Sequence, residues 1–179
     1  MLIYNDIISG DEMISDSFDL KEVGNVVYEA DCAMITLGAV EVDTGANASA
    51  EEAEEALDDG EVKVNNIINI FRLQPIPKFS KKEFIAYLKG YLGAVTKQLT
   101  EKLELEQLPE DQIKAQVKGF QDATAAFVKQ TLLPNFDKYD FYTGENMDPK
   151  GMIALLNYRE DGVTPYFTFW KHGLKATKV

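Results

Sequence analysis

The spacing of apolar residues changes twice along this chain and divides it into three stretches. At the start, Leu2-Ile3-Tyr4 forms a short apolar run, and "NVVYEADCAMITLGAV" carries two more, around Val26–Ala30 and Ala33–Val40. Turn formers and acids fill the interval "SGDEMISDSFD", so strands joined by turns are expected here. Ile67–Leu73 is rich in β-branched and aromatic residues and is closed by Pro75 and Pro77, which predicts a further strand.

Between Ser80 and Thr100 the period becomes helical. Phe84, Tyr87, Leu88, Tyr91, Leu92, Val95 and Leu99 fall at i, i+3, i+4, i+7, i+8, i+11 and i+15, the stripe of an amphipathic helix. Ser80 and Glu83 form a capping box at its start, and the pattern extends to about Glu106. Pro109, Glu110 and Asp111 begin a second helix, because proline suits a first turn and acids complement the helix dipole. Ile113, Val117, Phe120 and Phe127 continue one apolar face until Pro134. So short a connection predicts an antiparallel helical hairpin over about 80–132. From Tyr139 strand character returns in "YDFYTG", "GMIALLNY" and "VTPYFTFW". Strands, hairpin, strands in that order define an α+β chain: one domain over 1–179, with a β core drawn from 1–77 and 135–179.

Residues 43–60, "DTGANASAEEAEEALDDG", differ from everything around them: seven acids, no base, no aromatic, and Leu57 as the one large aliphatic. Such a composition buries too little surface to offset its ordering entropy, so a mobile acidic loop over about 43–62 is expected. A short helix over Ser49–Asp58, capped by Ser49, is the alternative.

Composition then narrows the function classes. A chain of 179 residues with 45% hydrophobic content, including ten Phe and eight Tyr, can supply one full core. No run approaches the roughly 18 apolar residues of a membrane span, and Met1–Asp6 lacks the basic and apolar regions of a secretory signal. Cys32, the single cysteine, rules out an internal disulfide and a cysteine-based zinc cage, so a cytoplasmic setting is expected. The net charge of −12 is uneven: residues 1–77 hold seventeen acids against three bases, whereas 78–134 hold seven against nine. The acidic first third would repel a phosphate backbone, which disfavours direct nucleic-acid binding and favours basic partners.

Catalytic constellations are missing. His172 has no second histidine or cysteine to form a triad or metal site, and reads as a partly exposed residue near the terminus. Cys32 reads as a small core residue. No phosphate-cradling glycine loop appears. "DEMISDSFD" and "EEAEEALDDG" could attract Ca2+ only weakly, and no metal site is assigned. The chain is not expected to be an enzyme of acid–base type. In "NYREDGVTPYFTFW" a four-residue loop, R-E-D-G, joins two apolar segments, Met152–Tyr158 and Val163–Trp170, as a β-hairpin closed by Gly162. Pro165 predicts an edge position or a bulge for the second strand.

The same region carries a resemblance. "FYTGENMDPKGMIALLNYREDGVTPYFTFWKHG", Phe141–Gly173, resembles the carboxy-terminal signature of the translationally controlled tumour protein family, and "GANASAEE", Gly45–Glu52, resembles a second motif of that family. The start, "MLIYNDIISGDEMISDSFD", is similar too, so the resemblance spans the chain and is nearest to the fungal members. It implies a β-tent fold related to the Mss4 proteins, a projecting helical hairpin and a mobile acidic loop. The terminal cysteine of animal members is absent here, so disulfide-linked dimers are not implied and a monomer is expected. The resemblance also implies a cytoplasmic multifunctional factor linked to growth and translation, with ribosome or translation-factor partners, calcium and tubulin binding, and contact with small GTPases. It points to Glu12 for GTPase binding or nucleotide exchange and, more loosely, to Ser49 for modification. Arg159, Glu160 and Asp161 join Glu12 as candidate GTPase contacts, Arg159 as an anchor pairing with an acid of the amino-terminal segment. Lys81, Lys82, Lys89 and Lys97 are candidates to meet the acidic tails of tubulin. No cofactor is obligatory in this reading, with weak Ca2+ the one candidate.

Overall fold

A computed structural model describes residues 1–37 and 62–179. Among these residues the strands form three antiparallel sheets. β1 (Leu2–Asp6) lies between β11 (Leu174–Lys178) and β2 (Glu12–Ser15), so the two chain ends share one sheet. The largest sheet has the order β3 (Leu20–Val23), β4 (Val27–Asp31), β10 (Pro165–Trp170), β9 (Ala154–Tyr158), β8 (Asp140–Thr143), β7 (Gln74–Ile76). β5 (Met34–Leu37) and β6 (Val62–Asn65) pair with each other. The α+β class and the joining of sequence-distant ends are as expected.

β10 is a central strand with unshifted register on both sides, rather than the edge or bulged strand that Pro165 suggested. Its register runs Tyr166↔Asp31 to Trp170↔Val27 against β4 and Pro165↔Tyr158 to Thr168↔Leu155 against β9. Proline is tolerated because it is the first residue of the strand, where its missing N–H interrupts no ladder; its carbonyl accepts from Cys32 N at 2.8 Å. Pro75 sits within β7, which is an edge strand.

The apolar run expected to be a strand at Ile67–Leu73 is instead mostly helical: α1 spans Asn66–Phe71. Asn65 Oδ1 accepts from Ile67 N at 3.0 Å and Ile68 N at 3.2 Å, capping two orphan donors at once. Ile67 and Phe71, four apart, are both buried, and Arg72 ends the helix in the left-handed region with φ 56°.

The helical hairpin is α2 (Lys81–Leu105) and α3 (Glu110–Phe127), the latter continued by a π-helical turn over Val128–Leu132. Ser80 Oγ accepts from Glu83 N at 3.2 Å, which forms the serine half of the expected capping box. The expected apolar stripe faces the sheets: Phe84, Leu88, Tyr91 and Val95 are buried, and Phe84 stacks on Phe141 with ring centroids 5.3 Å apart. Phe127 meets Trp170 edge-to-face at 5.7 Å. Among the described residues no helix is long and apolar enough to cross a membrane. The acidic stretch 43–60, with Ser49 and the Gly45–Glu52 motif, lies outside the described residues.

Candidate functional site

The charged turn between β9 and β10 is closed by its own side chains. Asp161 Oδ1 accepts from Val163 N and Thr164 N, both at 2.8 Å, and Oδ2 accepts from Thr164 Oγ1 at 2.7 Å. These bonds, Thr164 first, hold the Asp161 carboxyl below its ordinary range. Gly162 adopts φ 72° and donates to Arg159 O at 2.9 Å. Asp161 therefore shapes the turn, and Glu160 stays exposed at its tip.

Arg159 reaches back across the sheet to the amino-terminal segment, as the sequence suggested. Nη1 lies 2.5 Å from Glu29 Oε1 and Nη2 lies 2.7 Å from Asp31 Oδ1, while Nε donates to Asp31 Oδ1 at 2.8 Å. Both acids belong to β4, the neighbour of β10, so the guanidinium crosses one strand to reach them. It passes 3.8 Å above the ring of Tyr166, the β10 residue between. Burial works against its charge, but the two carboxylates outweigh that and keep its pKa above the ordinary value. Asp19, Lys21, Glu29, Asp31 and Arg159 line a small cleft of about 130 Å3 here.

Glu12 belongs to a different surface. It opens β2 opposite Asn5, just after a register shift in β1. Among the described residues no hydrogen bond or ion pair joins it to Arg159, Glu160 or Asp161, or to any other side chain. Its charge is felt at Arg72, whose Nε pairs with Glu145 Oε2 at 3.0 Å; Glu145 raises the guanidinium pKa and Glu12 adds to that rise.

Behind Glu12 the loop from Asp6 to Asp11 is clamped by the segment 144–152. Asp6, only 2% exposed, accepts from Met152 N, Ser9 Oγ and Ile8 N at 2.7, 2.7 and 3.0 Å. Asp11 accepts from Asn146 Nδ2 at 2.6 Å and Asn146 N at 3.3 Å. A Cβ at Gly144 would collide with Asp11, and one at Gly151 would lie 2.8 Å from Asp6 Oδ2. "TGENMDPKGM" thus needs glycine at both positions to admit two buried carboxylates. Neither Asp6 nor Asp11 was a candidate from sequence; an Asp three residues before Ser9 was the one local hint.

The remaining candidates are dispersed. Lys81, Lys82, Lys89 and Lys97 are exposed on α2 and free of ion pairs among the described residues. Cys32 is buried, its thiol pushed up to about 11, chiefly by that burial. His172 is not a tail residue: it lies half-buried in a turn between β10 and β11, its ring 4.5 Å from Phe120. Burial, then the charge of Lys171, lowers its pKa below the ordinary 6.5. Among the described residues no group of three or more His, Cys, Asp or Glu could hold a metal ion.

Antiparallel sheets closed by the chain's two ends, a two-helix hairpin packed on them and a clamped amino-terminal loop define a single class of α+β protein, and its relatives agree. The family model for "Translationally controlled tumour protein" matches residues 1–175, and the chain belongs to that family. It is 63% identical to a translationally-controlled tumor protein homolog of Gibberella zeae and 57% to one of Neurospora crassa, each over the full length of both chains. The solved structure of the translationally controlled tumor-associated protein of Schizosaccharomyces pombe superposes with a TM-score of 0.76 at 49% identity, covering both chains entirely.

Proposed function

We propose that this chain is a cytoplasmic protein-interaction factor that binds a small GTPase through the face presenting Glu12, with a regulatory or nucleotide-exchange role linked to growth and translation. One observation supports this most: a carboxylate without a partner among the described residues stands at the start of β2, directly after a loop tied down through Asp6 and Asp11. Exchange requires no nucleophile, only a group able to displace magnesium or phosphate contacts, and a preorganised acid supplies one. Arg159, Glu160 and Asp161 offer a second polar patch for the same partner or for a translation factor. The test is a cytoplasmic pull-down with wild-type and Glu12→Val protein, followed by nucleotide release from the captured GTPase. Loss of one GTPase from the variant's partner set is expected; identical sets and identical release rates remove the role of Glu12.

A second reading has its own support. Lys81, Lys82, Lys89 and Lys97 are exposed in the one stretch of the chain where bases outnumber acids, a field suited to acidic tubulin tails. Co-sedimentation with microtubules that falls with salt, and is lost when the four lysines are changed to glutamine, is the expected result. Unchanged co-sedimentation would sink it. Weak Ca2+ binding accompanies this reading, and calorimetric titration with Ca2+ tests it.

A further inference from the structure

The two helices of the hairpin do not close on each other along their outer side. They leave a groove of about 650 Å3, within the roughly 300–1,000 Å3 range of small-molecule sites. Its floor and walls are mainly apolar: Ile85, Leu88 and Leu92 from α2, Phe120 from α3, and Val128 and Leu133 beyond it. Two cations reach it, Lys89 from one wall and Lys129 from the other. Among the described residues neither makes an ion pair and no acid lines the groove.

We propose that this groove binds a single-chain anionic amphiphile, a long-chain carboxylate, with the headgroup between Lys89 and Lys129 and the tail along the apolar floor. Charge complementarity selects this occupant. In a chain of net charge −12 the charged groups that line the groove among the described residues are both positive, so a cationic amphiphile is repelled from its rim and a neutral one gains no charge pairing there. An amphipathic partner helix would bring acids spaced along its flanks, whereas the lining offers one ammonium per wall, which suits one compact headgroup.

Gly93 supplies the decisive variant. It lies in the groove wall, and a Cβ built on it meets nothing within 4 Å. Gly93→Phe therefore fills the groove without an internal clash and removes a helix-weakening glycine. The full-length protein is titrated calorimetrically with laurate below its micellar concentration, and in parallel with dodecyltrimethylammonium, which has the same tail and the opposite charge. Saturable one-to-one binding of laurate is expected, at least tenfold tighter than the cation. Gly93→Phe should weaken laurate at least tenfold with its helical circular dichroism retained. The double variant Lys89→Gln, Lys129→Gln, altered only at exposed positions, should erase the preference for laurate over the cation. Absence of saturable binding, equal affinity for both amphiphiles, or laurate binding unchanged by Gly93→Phe overturns the proposal. So does a groove that takes up an acidic amphipathic helical peptide but not laurate.

Discussion

Asp6 and Met152 stand 146 positions apart and share one hydrogen bond, Met152 N donating to Asp6 Oδ2 at 2.7 Å. That carboxylate also collects Ile8 N and Ser9 Oγ, so one buried side chain closes its own loop and ties it to the approach to β9. Removing it orphans a buried backbone donor, at about 1–3 kcal/mol for such a group. Asp6→Ala should cost about 2–4 kcal/mol in urea unfolding, and Asp6→Asn less, since one oxygen survives. Gly151→Ala should be destabilising alone, because its Cβ would crowd Asp6 Oδ2, but milder in the Asp6→Ala background. Strictly additive losses in that cycle would show that the two positions do not meet.

Arg159 holds two carboxylates of one strand, β4, with one planar group. Glu29 is only 13% exposed at its side chain, so Arg159→Ala leaves it partly buried beside Asp31 without its ion-pair partner. A loss of about 1–2 kcal/mol is expected, above the 0–1 kcal/mol typical of an exposed pair. Arg159→Lys should recover less than half, because an ammonium cannot bridge both carboxylates and cover Tyr166 together. The difference between wild type and Arg159→Ala should shrink at about 1 M salt. A loss that salt leaves untouched would mean the residue acts by packing alone.

These two sites differ in how far the sequence announces them. The hairpin helices are legible because period and cap agree: the stripe from Phe84 to Val95 and the Ser80 box point to one structure. Arg159 is legible as an anchor because a turn needs Asp161 and Gly162 but not an arginine. α1 is not legible. "NIINIF" has strand propensity, and its stop signal is Arg72 in a left-handed conformation where glycine is usual. Short helices are decided by their caps and by what they bury, here Asn65 and the pair Ile67 and Phe71. The Asp6 and Asp11 clasp is invisible for another reason. Its acceptors and donors are over 130 residues apart, and a buried aspartate reads from sequence like any surface acid.

His172 should leave a mark on the pH dependence of stability. Its folded pKa is depressed below the ordinary 6.5 by burial and by Lys171, with Lys102 adding and Glu22 opposing. Between the folded value and 6.5 the unfolded chain binds more protons, so stability rises with pH through that window. The contribution is complete above 6.5 and is lost as pH falls through the window toward the folded value. Thermal midpoints of wild type and His172→Gln, compared from about pH 7 to about pH 5, should therefore converge on acidification. A gap that stays constant, or widens, rejects this assignment.

Cys32 offers the cleanest probe of the central sheet, since it is the one thiol in the chain. It is 6% exposed, and burial, with Asp31 adding, pushes its pKa from 9.0 to about 11. A rise of that size makes the reactive thiolate about a hundredfold scarcer at neutral pH, and burial then blocks the reagent. Alkylation by iodoacetamide in the native protein should run at least a hundredfold slower than in urea. Cys32 N is bound to Pro165 O at 2.8 Å, and the next residue back, Asp31, holds Arg159. Weakening that anchor should open the β4–β10 seam locally, so Arg159→Ala should label faster than wild type in native buffer, by more than its loss of global stability predicts. Equal acceleration by any variant of matched stability, such as Asp6→Asn, would mean that Cys32 is reached only through global unfolding.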